Sequence, residues 1–195
     1  EEILIVTGVE HMGDVVSLLG SGKDFGCRFT YKVQDQAGGI AQALALAENF
    51  ANGQPLTVIL GDNIFQANLQ TYVERFITQK TGARILLKQV EHPRRFGVAE
   101  LSGDRIVGIE EKPEHPKSNF AVTGIYFYDA SVFDIIRTLK PSARGEFEIS
   151  HVNDLYINKG QLAYDILEGW WTDAGTFESL TRANELVIDE PPQRR

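Results

Sequence analysis

The sequence predicts an α/β sandwich built on a mainly parallel central sheet. Two observations carry this: strand-like and helix-like stretches alternate through the first half of the chain, and several strand candidates are apolar almost throughout, as strands covered on both faces are. Residues 3–7, ILIVT, open the series as a strand, and a weak helical pattern at 12–19 ends in the Gly-rich stretch GSGKDFG. RFTYKV, at 28–33, alternates polar and apolar residues like a half-exposed strand. From Gly39 the positions Ile40, Ala43, Leu44, Ala47 and Phe50 follow a helical period until NGQP stops it. Val58, Ile59 and Leu60 read as a buried strand, and Gly61 lets the chain turn where Asp62 and Asn63 are displayed. Leu69, Tyr72, Val73, Phe76, Ile77 and Lys80 again have helical spacing. ARILLKQV is the next strand, GVAEL and RIVGIEEK form a hairpin about SGD, and FAVTGIYFY is apolar on both faces. Helices near 131–138 and 148–159, a strand at 161–167 and a helix at 176–188 complete the order, and the tail DEPPQRR is expected to fray. Ligands of such sheets sit beyond the carboxyl ends of strands, which singles out Asp62 and Asn63.

Composition narrows the function classes. A formal net charge of -8 without a basic stripe argues against a nucleic-acid partner, so any nucleotide bound here is a small ligand. One cysteine, Cys27, makes no internal disulfide, and a reducing cytoplasm is the expected location. No apolar stretch reaches membrane-spanning length. Glu1 and Glu2 run straight into a core-type strand, so the chain is expected to begin inside a domain.

Several familiar sites are excluded. GSGKDFG lacks the spacing of a phosphate loop, and Asp24 stands where a Ser or Thr would hold Mg²⁺; Phe25 likewise replaces the third glycine of a dinucleotide fingerprint. His11, His92, His115 and His151 show no zinc spacing, and no G-x-S-x-G elbow supports a nucleophilic serine.

The remaining candidates are polar residues at strand ends. Gln34 closes a strand and Gly39 opens a helix, placing a carboxamide and a free backbone N–H on one rim; the amide matches the donor and acceptor edge of uracil or thymine. Asp62 alone is as well explained as a turn or N-cap residue, but Asp173 in WWTDAGT occupies a second strand-to-helix junction. Two carboxylates at one place repel unless a cation or proton joins them, and Mg²⁺ is commonly held by one or two carboxylates plus substrate phosphates. Glu111 and Lys112, stopped by Pro113, combine an acceptor for sugar hydroxyls with a point charge for a phosphate; read alone they are an ordinary exposed ion pair. Gly97 and Val122 read alone as a strand-start glycine and a core residue, and Trp170 and Trp171 pave a site or fill a core.

Five stretches, YKVQDQAGGIAQAL, VILGDNIF, RRFGVAEL, IEEKP with AVTGIYFYD, and WWTDAGT, together resemble the sugar-nucleotide pyrophosphorylases, most closely the glucose-1-phosphate thymidylyltransferases. The likeness runs in order along nearly the whole chain. It implies a Rossmann-like three-layer sandwich of the nucleotide-diphospho-sugar transferase type, N-terminally incomplete, with one domain at 1–188 and a flexible tail at 189–195. By resemblance Gln34 and Gly39 read the base, Asp62 and Asp173 hold Mg²⁺, and Asn63 lies beside the sugar phosphate. Glu111, Gly97 and Val122 bind the sugar, and Lys112 its phosphate. The implied reaction, part of nucleotide-sugar and polysaccharide biosynthesis, joins a pyrimidine nucleoside triphosphate, dTTP or UTP, to a sugar 1-phosphate, glucose 1-phosphate by resemblance, with Asp62 and Lys112 central to it. Oligomers are common in the family, so a homo-oligomer is expected.

One family element is absent: a first strand with a Gly-rich G-G-x-G-T-R-L loop, which clamps the triphosphate. The chain as given is therefore expected to be inactive, and robust turnover by this polypeptide alone contradicts that expectation. A non-catalytic sugar-nucleotide sensor or assembly subunit is the alternative from another class. Cytidylyl, uridylyl or guanylyl transfer is the alternative within the class, because an amide that flips at Gln34 also suits cytosine.

Overall fold

Parallel pairing of the two N-terminal strands builds the first of two compact units. The computed structural model describes residues 1–193. The first unit contains Glu1–Gln54 and Val132–Val152; the second contains Pro55–Ser131 and the chain from Asn153 onward, the boundary falling inside one helix.

In the first unit β1 (Glu2–Gly8) pairs in parallel with β2 (Arg28–Gln34), from Glu2 opposite Arg28 to Gly8 opposite Gln34. Helix α1 (Met12–Leu19) lies between them in sequence. The single helix expected from Gly39 is two short ones, α2 (Ile40–Ala45) and α3 (Glu48–Ala51). The physical reason is visible at Leu46, whose carbonyl accepts the Lys32 ammonium at 2.7 Å while its own amide makes the tighter bond to Ala43. Among the described residues no backbone amide donates to the Leu46 carbonyl, so the helix ladder is interrupted there. Helix α5 (Val132–Thr138) buries Val132, Phe133, Ile135 and Ile136 and packs against α2.

The second unit is a six-stranded sheet with helices α4 (Gln70–Gln79), α6 (Ile149–Asn158, from Asn153 on) and α7 (Phe177–Asp189). Its strands are β3 (Leu56–Ile59), β5 (Ala83–Gln89), β6 (Gly97–Ser102), β7 (Arg105–Glu111), β8 (Phe120–Tyr128) and β9 (Leu162–Ile166). The order is β7-β6-β8-β5-β9, with β3 also on β8. Two three-residue strands, β4 (Asn63–Phe65) and β10 (Trp171–Asp173), pair separately.

The α/β class holds, but the expectation of a mainly parallel sheet needs correction. Strands β3, β5, β6 and β9 run one way, yet β8 runs against β3, β5 and β6, so only the β5/β9 ladder of this sheet is parallel. An apolar run reports burial on both faces and carries no information on strand direction.

Alternation along β8 sets the core. Ile125 and Phe127 face a cluster with Leu86, Leu167 and the α4 residues Tyr72 and Phe76, while Tyr126 and Tyr128 point to the opposite face. There Tyr128 stacks between Tyr126 and Tyr156, at centroid distances of 6.0 and 5.8 Å, and its hydroxyl donates to Asn153 Oδ1 at 2.7 Å. Helix α7 starts with a reciprocal cap between Thr176 and Ser179. Beyond it, the Glu190 carbonyl accepts the Trp170 indole N–H and the Gln193 amide donates to the Gln66 carbonyl. Of the tail expected at 189–195, residues 194–195 lie outside the described residues. Among the described residues no helix is long and apolar enough to cross a membrane.

Two outcomes follow from the tyrosine stack. Asn153→Ala strands a buried hydroxyl and is expected to cost about 1–3 kcal/mol in urea unfolding. Burial raises Tyr126, Tyr128 and Tyr156 above the ordinary tyrosine value. Their contribution is complete below the unfolded pKa of about 10 and is lost as pH rises past it, because the unfolded chain then ionises while the folded one does not. The tyrosinate absorbance of these three residues, taken as the difference from a triple Tyr→Phe variant, is expected to appear together with alkaline unfolding rather than before it.

Candidate active site

The chain leaves β3 in a tight turn in which the Asn63 amide returns to the Leu60 carbonyl at 3.0 Å, with Gly61 and Asp62 at its tip. It then enters β4, which pairs antiparallel with β10 so that Asn63 opposes Asp173 and Phe65 opposes Trp171. Directly opposed residues share a face, as do residues two apart on a strand, so Asn63, Phe65, Trp171 and Asp173 project to one side. The Asp62 carbonyl accepts the Ala174 amide at 2.7 Å, and a Cβ on Gly175 would stand 3.5 Å from Asp62 Oδ2. The two aspartates are therefore brought to adjoining strand ends.

Asn63 is tied on both ends of its amide. Its Oδ1 accepts from the Trp171 indole N–H at 2.7 Å and from the Gly124 amide at 3.0 Å, while its Nδ2 donates to Asp62 Oδ1 at 2.8 Å. Among the described residues, no lysine, arginine or histidine pairs with Asp62 or Asp173. Two carboxylates without a counter-cation form an all-oxygen donor set suited to a hard divalent ion. Among the described residues no third His, Cys, Asp or Glu completes a protein-only cage. The set fits an ion that takes its remaining ligands from water and phosphate.

A second group forms where β6 begins. Gly97 pairs with Glu111, and a Cβ on Gly97 would lie 3.1 Å from Glu111 Oε2 and 3.8 Å from Val122 Cβ, so these three residues meet. Lys112 follows the end of β7 with φ 46°, a left-handed backbone rare for lysine, and its amide donates to the Phe96 carbonyl at 3.0 Å. Its ammonium stands 3.9 Å from Glu111 Oε1, both side chains being exposed. After burial, the Glu111 and Asp62 charges are what raise the Tyr126 hydroxyl, which lies within electrostatic reach of both groups. A cleft of about 880 Å³ adjoins them, lined by Lys88, Arg95, Phe96, Trp171 and Asp173 among others, with Phe96 edge-on to Trp171 at 5.2 Å. Burial lowers the Lys88 pKa, and the ammonium donates to the Leu167 and Gly169 carbonyls.

Gln34 and Gly39 belong to the first unit and are brought together there. Gln34 Nε2 donates to the Gly39 carbonyl at 3.1 Å and to Gln42 Oε1 at 2.7 Å. Gly39 has φ 93°, and a Cβ there would stand 2.5 Å from the Phe147 carbonyl oxygen, so no other residue fits. Among the described residues, the Gly39 N–H has no acceptor.

Residues 1–190 match the nucleotidyl transferase family, and the chain belongs to it. Among individual relatives, the glucose-1-phosphate thymidylyltransferase of Neisseria meningitidis serogroup A is 44% identical over 191 residues, covering 95% of this chain and 66% of the relative. The chain thus spans just under two thirds of that protein's length. A Bacillus anthracis crystal structure, assigned as a glucose-1-phosphate thymidylyltransferase and solved in complex with a sucrose, is 59% identical with a TM-score of 0.91, covering 96% of this chain and 76% of that one. A UDP-glucose pyrophosphorylase complexed with UDP-glucose shares the fold at 22% identity and a TM-score of 0.81, covering 97% of this chain and 81% of that one. The resemblance carried by the five sequence stretches is borne out.

Sequence reasoning passed over Gly124, Phe96 and Lys88. Only Gly124 left a signal: a glycine inside a nine-residue apolar strand marks a close approach, here that of Asn63.

Proposed function

We propose that the chain carries the nucleotidyl-transfer site of a glucose-1-phosphate thymidylyltransferase. A phosphate oxygen of the sugar 1-phosphate attacks the α-phosphorus of dTTP, a P–O bond to the sugar phosphate forms, and the bond to the departing pyrophosphate breaks. The observation that carries this reading is the meeting of Asp62, Asn63 and Asp173 at two paired strand ends, with no lysine, arginine or histidine paired to either aspartate among the described residues. No protein nucleophile is required, because the sugar phosphate, with a second pKa of about 6, is largely dianionic near neutral pH.

The residues take the following parts. Asp62 and Asp173 would hold Mg²⁺, which when bound offsets the charge of the reacting phosphates. Lys112, its backbone set in a left-handed turn, presents an ammonium to the sugar phosphate, and Asn63 presents its amide beside it. Glu111 accepts from sugar hydroxyls over Gly97, where the missing side chain leaves room, and Val122 offers its main chain to the same sugar. Gln34, whose Nε2 is engaged by Gly39 and Gln42, offers its Oε1 to the pyrimidine edge, and the Gly39 N–H, without an acceptor among the described residues, donates to it. Thymine is chosen over uracil on the names of the relatives, and a cytoplasmic homo-oligomer stays an expectation from the resemblance and the single cysteine.

Asp62→Asn and Asp173→Asn are each expected to lower pyrophosphate release from dTTP and glucose 1-phosphate by about 10²- to 10³-fold in the native protein. Unchanged turnover in either variant overturns the assignment. Binding of dTTP and glucose 1-phosphate without any turnover in the unsubstituted native protein transfers the case to the sensor reading.

A further inference from the structure

We infer that Trp171 is a positioning residue that acts through Asn63 on Asp62; the inference rests on the transferase reading above for its functional meaning, and on the hydrogen bonds alone for its geometry. A side-chain amide has two orientations of nearly equal shape, and its neighbours decide between them. Here two groups that only donate, the Trp171 indole N–H at 2.7 Å and the Gly124 backbone N–H at 3.0 Å, converge on the same atom of Asn63. That atom must be the oxygen. The amide nitrogen is thereby turned to Asp62 Oδ1 at 2.8 Å, which engages one carboxylate oxygen and leaves Oδ2 without a hydrogen bond among the described residues.

The surroundings are shaped for this arrangement. A Cβ on Gly124 would stand 2.4 Å from Asn63 Nδ2 and 2.8 Å from Leu60 Cγ, so the amide lies flat on a bare stretch of β8. Trp171 is itself fixed by pairing opposite Phe65 and by the edge of Phe96. The adjacent Trp170 is engaged elsewhere, its indole N–H donating to the Glu190 carbonyl at 2.8 Å. Of the two neighbouring tryptophans, Trp171 is thus the one that, together with the Gly124 amide, sets which way Asn63 faces, and through Asn63 how the Asp62 carboxylate is presented.

The test uses the full chain and Trp171→Phe, which keeps a ring and removes the donor. In ¹⁵N–¹H spectra the Asn63 side-chain amide pair is expected to shift toward free-amide positions, the Gly124 bond remaining, and the affinity for Mn²⁺ alone is expected to fall about tenfold or more, the usual range for removing an outer partner of a metal ligand. Because Trp171 acts through Asn63, the double variant Trp171→Phe with Asn63→Ala is expected to bind Mn²⁺ no more weakly than Asn63→Ala alone. Additive losses, or an Asn63 amide unmoved by Trp171→Phe, overturn the inference. Should Trp171→Phe fail to fold, the Trp171 indole proton in Asn63→Ala decides: faster exchange supports the coupling and unchanged exchange refutes it. A wild-type chain that binds no Mn²⁺ while the Asn63 amide still responds to Trp171→Phe counts against the cation reading and leaves the positioning intact.

Discussion

Strand β8 is the member to which the second unit is registered. It is hydrogen-bonded along one edge to β5, and along the other to β3 through Ile125 and to β6 at Ala121. Between those two ladders, residues 122–124 have no strand beside them on that edge. Their backbone groups still need partners in a half-buried setting, and the chain leaving β3 supplies them: the Leu60 amide donates to the Gly124 carbonyl at 2.9 Å, and Asn63 Oδ1 accepts from the Gly124 amide. A gap in a sheet edge has become the seat of the candidate site. Val122, Gly97 and Asn63 all border it, because β3 ends and β6 begins at its two sides.

The same strand explains why acidic residues gather against an apolar surface without being buried. Residues two apart on β8 share a face, so Val122, Gly124 and Tyr126 look toward the site while Ala121, Thr123, Ile125 and Phe127 look into the core or its margin. Tyr126 is buried and uncharged, and Asp62 and Glu111 reach it only through their fields. Their carboxylates stay exposed, where desolvation is small and a ligand or cation can meet them. Carboxylates held at the rim of a buried face keep their charge and gain a fixed geometry from it.

Much of this was legible in the sequence, and the boundary of legibility is physical. Helices α4 and α7 and the hairpin of β6 with β7 follow from local periodicity and turn residues, which act over a few positions. The turn at Gly61 and the exposure of Asp62 were also read correctly, being local, whereas Asn63 is half-buried and tied at both ends of its amide, and Ile59, read as part of a buried strand, is 47% exposed. Three features were not legible because each depends on a partner distant in sequence. The helix expected from Gly39 breaks where Lys32 takes the Leu46 carbonyl, β4 and β10 are strands only by virtue of each other, and the orientation of the Asn63 amide is set by Trp171 and Gly124. Spacing along the chain placed Asp62 and Asp173 at separate junctions; the ladder between Asn63 and Asp173 is what joins them.

The corrected strand directions sharpen the reason why the site lies where it does. The rule that ligands collect beyond the carboxyl ends of strands concerns which way strands run, not which ladders are parallel. Strands β3, β5 and β9 share a direction despite the antiparallel β8 between β3 and β5. Their carboxyl ends lead, respectively, to Asp62, to Lys88 and the cleft, and to the segment that ends in Trp171 and Asp173. Strand β6 enters from the other side: it runs in the same direction as β3 but starts farther along the edge of β8, so its first residue, Gly97, faces the gap that β3 has just left. One reversed strand therefore lets an amino end and a carboxyl end meet at the same place. That meeting brings the glycine that makes room for a ligand to the site that the carboxylates define.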